Sequence, residues 1–317
     1  MNKDLWAGVF PAITTKFTAN EELDLVACAK GVEAQLEAGV DGIVIGGSLG
    51  EASTLSEEEK FTLLSETLKT VAGRVPVIFS IAEQATRVAV YHAKKAEELG
   101  AAGIMLLPPL RYYASADETV TYFAAVATAT ALPIMIYNNP VDYKIHVTID
   151  MFSKLEKYEN IVAVKESTRD ISNVTRMLNR FGDRFKIFTG VDPLALESIV
   201  AGAHGWIAGL VDAFPKETVA IFRLVKAGRY EEAIAINRWF MPLLDLDIHP
   251  KLVQYIKLAE VATGTGTEHV RAPRLKLTGT ERDYVQKVID DALQVRPELP
   301  EGSWGVVAQL SKKKKNE

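Results

Sequence analysis

The sequence predicts an α/β fold of the (β/α)8 TIM-barrel class with a C-terminal helical appendage. From Trp6 to about Ala227, short apolar runs of strand-forming residues alternate with amphipathic helical stretches, the pattern of repeated βα units around a parallel sheet. Eight such units fit into about 225 residues with short connections, which suits a closed barrel better than an open doubly wound sheet. An open sheet of that kind would carry a G-x-G-x-x-G fingerprint after an early strand, and none is present there.

The first strand is Gly8 to Ile13, leading to a helix from about Asp24 to Ala38. The second, Gly42 to Ile45, runs into a loop and then a helix announced by Ser56 with Glu59 three residues on, the spacing at which each side chain caps the other's backbone N–H. Val75 to Ser80 and Gly103 to Leu107 make the third and fourth strands, each followed by a helix rich in Ala, Glu and Lys. Pro133 to Tyr137 is the fifth, Ile161 to Lys165 the sixth, Phe185 to Thr189 the seventh and Gly205 to Ala208 the eighth. Beyond them, Tyr230 to Leu246, Pro250 to Ala262 and Thr280 to Leu293 read as helices. The expected division is a catalytic barrel over 1–227, a helical subdomain over 228–296 and an extended or disordered tail over 297–317. The run Lys312 to Lys315 is read as a solvated end.

With 48% apolar and 24% charged residues and a formal charge of -5, the composition is that of a water-soluble globular protein. The acidic balance argues against nucleic acid as the main partner, and no apolar run approaches the roughly 18 residues of a membrane span. The single cysteine, Cys28, supports neither a disulfide nor a cysteine-based metal site; with an N-terminus that lacks an apolar leader, this points to the cytoplasm. The five histidines, His92, His146, His204, His249 and His269, show no H-x-x-x-H pairing, so no metal is expected. Serine-hydrolase chemistry is set aside on the reading that no G-x-S-x-G elbow appears.

Barrel enzymes take their reacting groups from the C-terminal ends of strands and the loops beyond. That rule selects the Gly46-Gly47-Ser48-Leu49-Gly50-Glu51 loop, Tyr137-Asn138-Asn139-Pro140, Lys165-Glu166-Ser167, Gly190-Val191-Asp192 and Gly205-Trp206-Ile207. Each has a bland reading: a strand-end lysine snorkels to water, a tyrosine packs in the core, a glycine run makes a turn. Together they offer an amine whose pKa burial would lower, a phenol able to relay protons and a loop whose N–H groups can approach a carboxylate. That set suits covalent chemistry on a 2-oxo acid or cyclic imine acid, with Lys165 and Tyr137 catalytic.

The same residues resemble the dihydrodipicolinate synthase and N-acetylneuraminate lyase family of class I Schiff-base aldolases and lyases, from about Trp6 to at least Leu277. Gly47-Ser48-Leu49-Gly50-Glu51 stands against a usual G-[ST]-T-G-E, Tyr137-Asn138-Asn139-Pro140 against Y-N-x-P, and Lys165-Glu166-Ser167 against K-E-[AS]. The resemblance implies that Lys165 forms an imine with substrate C2 and that Tyr137 relays protons. It further implies that Gly47, Ser48 and Leu49 hold the carboxylate and that Ile207 offers a carbonyl near the amine. No cofactor is implied, and the assembly would be a homotetramer built from dimers.

Three departures narrow the expected substrate. Leu49 replaces a hydroxyl residue, Leu110-Arg111 replaces the usual tyrosine pair although Tyr112 and Tyr113 follow, and Asp142 occupies the place of an arginine that grips the second acid in dihydrodipicolinate synthases. An aspartate there repels such an acid. With Arg238-Trp239-Phe240 and Arg271-Ala272-Pro273-Arg274-Leu275, the chain looks like bacterial Δ1-pyrroline-4-hydroxy-2-carboxylate deaminases, which release ammonia and 2,5-dioxopentanoate in hydroxyproline breakdown. The alternatives are a pyruvate-dependent aldolase or 4-hydroxy-tetrahydrodipicolinate synthase of the same family and, from another class, a non-catalytic barrel that binds small acids.

Overall fold

The computed structural model describes residues 6–109 and 111–305. Leu110 and the lysine run at 312–315 lie outside the described residues. Eight parallel strands alternate with helices: β1 (Gly8–Pro11), α1 (Leu25–Ala38), β2 (Ile43–Ile45), α2 (Glu57–Val71), β3 (Val77–Ile81), α3 (Thr86–Leu99), β4 (Gly103–Leu106), α4 (Ala116–Ala129) and β5 (Ile134–Asn138). Two short helices, α5 (Pro140–Tyr143) and α6 (Ile149–Leu155), then precede β6 (Ile161–Glu166), α7 (Ser172–Phe181), β7 (Lys186–Thr189), α8 (Ala195–Val200), β8 (Gly205–Ala208) and α9 (Pro215–Lys226). The sheet runs β1-β8-β7-β6-β5-β4-β3-β2, and Ala12 pairing with Val44 closes it into a barrel. The TIM-barrel expectation holds.

Strand ends move by at most two residues from the sequence reading, for local reasons. Pro76 has no N–H to give, so β3 begins only at Val77, while the Pro76 carbonyl accepts from Ile43. Past Pro11, Ala12 pairs back to Ala208 and Ile13 turns to Val44, so the first expected strand is shared between two neighbours. The helix starts are set by side chains: Asp24 accepts from Ala27 N, and Ser56 with Glu59 and Ser115 with Glu118 form reciprocal caps.

The barrel interior is filled by aromatic residues set against glycines. Phe10 and Phe188 meet edge to face at 5.2 Å, and Trp6 meets Phe188 at 6.4 Å. A Cβ on Gly42 would lie 2.3 Å from the Phe10 ring, and one on Gly205 would lie 2.2 Å from Phe188. The interior is therefore packed core below, with a pocket at the C-terminal rim.

The C-terminal helices α10 (Tyr230–Leu244), α11 (Leu252–Thr263) and α12 (Gly279–Gln294) share the barrel's apolar core through Phe240, Val253 and Ile256. The expected helix to Leu246 ends at Leu244 and passes into a single 3-10 turn, Asp245–Ile248, which carries Asp247 to the rim. From α11, Lys257 pairs with Glu51 and Glu260 pairs with Lys16, four charges fully removed from water. No helix among the described residues is long and apolar enough to cross a membrane.

Candidate active site

Register brings the two sequence-selected groups together. On the paired strands β5 and β6, Tyr137 lies opposite Lys165 and Asn138 opposite Glu166. Side chains alternate along a strand, so Tyr137 and Lys165 share one face and Asn138 and Glu166 the other. The inward pair enters the rim pocket. The outward Glu166 accepts hydrogen bonds from Asn173 Nδ2 at 2.7 Å and Thr168 N at 2.8 Å, which anchors the end of β6 to α7 and the turn before it.

Lys165 Nζ lies 4.1 Å from the centroid of the Tyr137 ring, and only 8% of the lysine is exposed. Burial lowers its pKa below the ordinary lysine value, while Tyr143, Asp247, Asp192 and Asp142 pull the other way. An amine so placed spends more time as the free base that attacks a carbonyl. Burial also pushes the Tyr137 phenol up to about 12, opposed by a hydrogen bond from Asn139 Nδ2 at 3.2 Å, so the ring is neutral at neutral pH and holds a proton to relay.

The remaining wall is built by loops. Ser48 bonds the hydroxyl of Tyr143, whose ring meets Tyr137 edge to face at 5.4 Å. Tyr143 reaches this position because Asn139 caps α5 with Pro140 at its first turn, a start signal legible in the sequence whose consequence for Tyr143 was missed. Gly47, Leu49 and Ile207 line the same pocket, so the six sequence-selected residues Lys165, Tyr137, Gly47, Ser48, Leu49 and Ile207 are gathered at one rim. Gly46 turns the chain into this loop at φ 68, a backbone state that glycine enters without a Cβ clash.

Three carboxylates complete the surroundings. Asp142 lines the pocket and accepts from Asn139 Nδ2 at 2.7 Å. Asp247 also lines it; burial, then neighbouring Asp192, hold its pKa well above the ordinary carboxylate value. Asp192 accepts from Trp206 Nε1 and Leu210 N, both at 2.8 Å, which ties β7 to β8 beneath the site. The sequence reading named Asp142 but not Asp247, which no local motif announces.

The reason given in the sequence for setting aside serine-hydrolase chemistry needs correction. Gly46-Gly47-Ser48-Leu49-Gly50 does spell G-x-S-x-G. The geometry is not that of an elbow, since the loop leads to a 3-10 turn at Ala52–Thr54 and no histidine lines the pocket with Ser48.

The chain matches the profile of the Dihydrodipicolinate synthetase family over residues 5–292. It is 35% identical to the 4-hydroxy-tetrahydrodipicolinate synthase of Exiguobacterium sibiricum across 86% of this chain and 92% of that protein. An uncharacterized lyase of Rhizobium meliloti is 32% identical across 85% and 90%. The crystal structure of dihydrodipicolinate synthase DapA-2 from Bacillus anthracis superposes with a TM-score of 0.87 at 29% identity, covering 92% of this chain and 99% of that one. The chloride-inhibited synthase of Acinetobacter baumannii in complex with pyruvate gives 0.85 at 26%, covering 90% and 99%. Enzymes of this family carry their substrate as an imine on a lysine and need no cofactor. By profile, sequence and fold, this chain belongs to the Dihydrodipicolinate synthetase family of Schiff-base lyases.

Proposed function

We propose that Lys165 is the imine-forming lysine and that the protein is a pyruvate-dependent aldolase or synthase of its family. The observation that carries this reading is the buried Lys165 amine, its pKa lowered by burial, held 4.1 Å from the Tyr137 ring in the rim pocket. The free amine adds to C2 of the 2-oxo acid, and loss of water gives the imine. Tyr137 passes the proton lost from C3 and returns it after the new bond forms. Gly47 and Ser48 receive the carboxylate, Leu49 closes the pocket beside them, and Ile207 supplies a carbonyl facing the amine. The names of the related synthases and the pyruvate held by a structural neighbour favour pyruvate as this partner over a pyrroline acid.

One observation favours a second reading, the Δ1-pyrroline-4-hydroxy-2-carboxylate deaminase. Asp142 lines the pocket, where it disfavours a second acid beside it and suits a substrate with hydroxyl or ammonium groups. In that reaction Lys165 opens the ring imine, the C3 proton and 4-hydroxyl leave as water, and hydrolysis releases ammonia and 2,5-dioxopentanoate with a net uptake of one water. Borohydride trapping with pyruvate against the pyrroline acid, followed by turnover of each, separates the two. A pyruvate adduct with pyruvate-dependent turnover excludes the deaminase; ammonia release from the pyrroline acid without pyruvate turnover excludes the aldolase. A cytoplasmic homotetramer belongs to the proposal, with exposed Tyr112 and Tyr113 available to a neighbouring subunit.

A further inference from the structure

We propose that Arg169 receives an anionic group at the far end of the substrate, so that the site selects 2-oxo acids with a distal carboxylate over monoacids of the same chain length. The inference rests on the reading above in that it places the 2-oxo end at Lys165.

Arg169 has a backbone φ of 63, in the left-handed region that glycine adopts freely and a residue with a Cβ adopts at a cost. The turn is pinned from both sides. Glu166 Oε1 accepts from Thr168 N at 2.8 Å, and Thr168 Oγ1 accepts from Asp170 N at 3.3 Å. The one acid beside it in sequence, Asp170, is already bound by Arg176 Nη1 at 2.6 Å. Arg169 itself makes no hydrogen bond or ion pair among the described residues, and it is exposed. A strained backbone that holds an unpaired cation is an outlier that packing does not account for.

Its location supplies the account. Arg169 lines the pocket that contains Lys165, and the other charged residues lining it are Asp142 and Asp247. With Lys165 committed to the imine, Arg169 is the cation left on that wall for a second anion. Asp142 repels an anion from its own side and directs it toward the guanidinium. A guanidinium meets a carboxylate through two parallel N–H bonds, a recognition stronger and more directional than a point charge gives. A second acid is thereby compatible with Asp142, because it is gripped from the turn after β6 and not from α5.

The test compares binding by calorimetry of matched pairs, 2-oxopentanoate with 2-oxopentanedioate and 2-oxohexanoate with 2-oxohexanedioate, to the wild type, Arg169→Gly and Arg169→Lys. The wild type is expected to bind one of the diacids about tenfold or more tightly than its monoacid, a preference that weakens with salt. Arg169→Gly removes the preference and does not lower Tm, since glycine relieves the backbone; Arg169→Lys keeps part of it. A diacid preference that survives Arg169→Gly, or is absent from the wild type at both lengths, overturns the proposal. Borohydride trapping of the same 2-oxo acids is read separately. A wild type that traps none of them yet loses its diacid preference in Arg169→Gly supports Arg169 and overturns Lys165 as the imine former.

Discussion

A Cβ on Gly190 would lie 2.5 Å from Cε of Lys165 and 2.3 Å from Oγ of Ser167. The absence of a side chain on the strand-end glycine of the next unit is thus what gives the lysine its room. Gly190→Ala forces the lysine stem out of place or pushes β7 away from β6. We predict a fall in turnover of about a hundredfold or more, from misplacement of the nucleophile, with a stability loss of about 1–3 kcal/mol from overpacking. Steady-state kinetics and a denaturant melt measure the two effects separately.

Burial lowers the folded-state pKa of Lys165 below its unfolded value near 10.5. The unfolded chain therefore binds more protons in the interval between the two values, and stability rises with pH across it. The desolvation penalty of the ammonium is present in full below the folded-state pKa and is relieved as pH climbs from there to 10.5. Lys165→Met removes the penalty, so the variant is inactive yet has a higher Tm than the wild type at pH 7. Melting curves recorded from pH 7 to 10 should show that gap closing.

Tyr137→Phe keeps the ring beside Lys165 and deletes the hydroxyl that accepts from Asn139. We expect kcat to fall by about 10²–10⁴, the usual contribution of a positioned proton relay, while stability changes by about 1 kcal/mol or less. Single-turnover experiments should show a slowed proton-transfer step with the imine still forming.

The loop that ends at Glu51 is held from α11 and from the segment that follows it. Lys257 Nζ bonds the Glu51 carboxylate, Arg271 N donates to it at 3.2 Å, and Glu51 itself sits at φ 55 with no exposure. Lys257→Met removes the nearer cation and leaves Glu51 with Arg274 Nη1 at 3.6 Å, at a cost of about 3 kcal/mol, and Glu51→Gln in the same background recovers part of that loss. Chemical denaturation of the single and double variants gives the coupling. The loop also carries Ser48, so KM for the 2-oxo acid rises in the single variant.

The barrel was legible because each βα unit announces itself locally, through apolar runs, caps such as Ser56 with Glu59, and glycines at strand ends. Lys165 and Tyr137 were legible for the same reason, each closing an apolar run. What the sequence hid depends on pairings between distant segments. Lys257 meets Glu51 across 206 positions, and Asp247 reaches the pocket from a turn beyond the barrel. Gly190 matters only through the side chains that fill its space, and Arg169 stands out only once its backbone angle and lack of partners are known. The substrate expectation suffered in the same way. Asp142 alone argues against a second acid, whereas the pocket wall also contains Arg169.

The central claim is that the Lys165 amine carries the substrate. Borohydride reduction in the presence of pyruvate, followed by peptide mass spectrometry, tests it most directly. The predicted result is a single reduced adduct on the peptide that contains Lys165, absent from a Lys165→Ala variant whose circular dichroism matches the wild type. An adduct of undiminished yield in Lys165→Ala, or one mapped to another lysine, would contradict it.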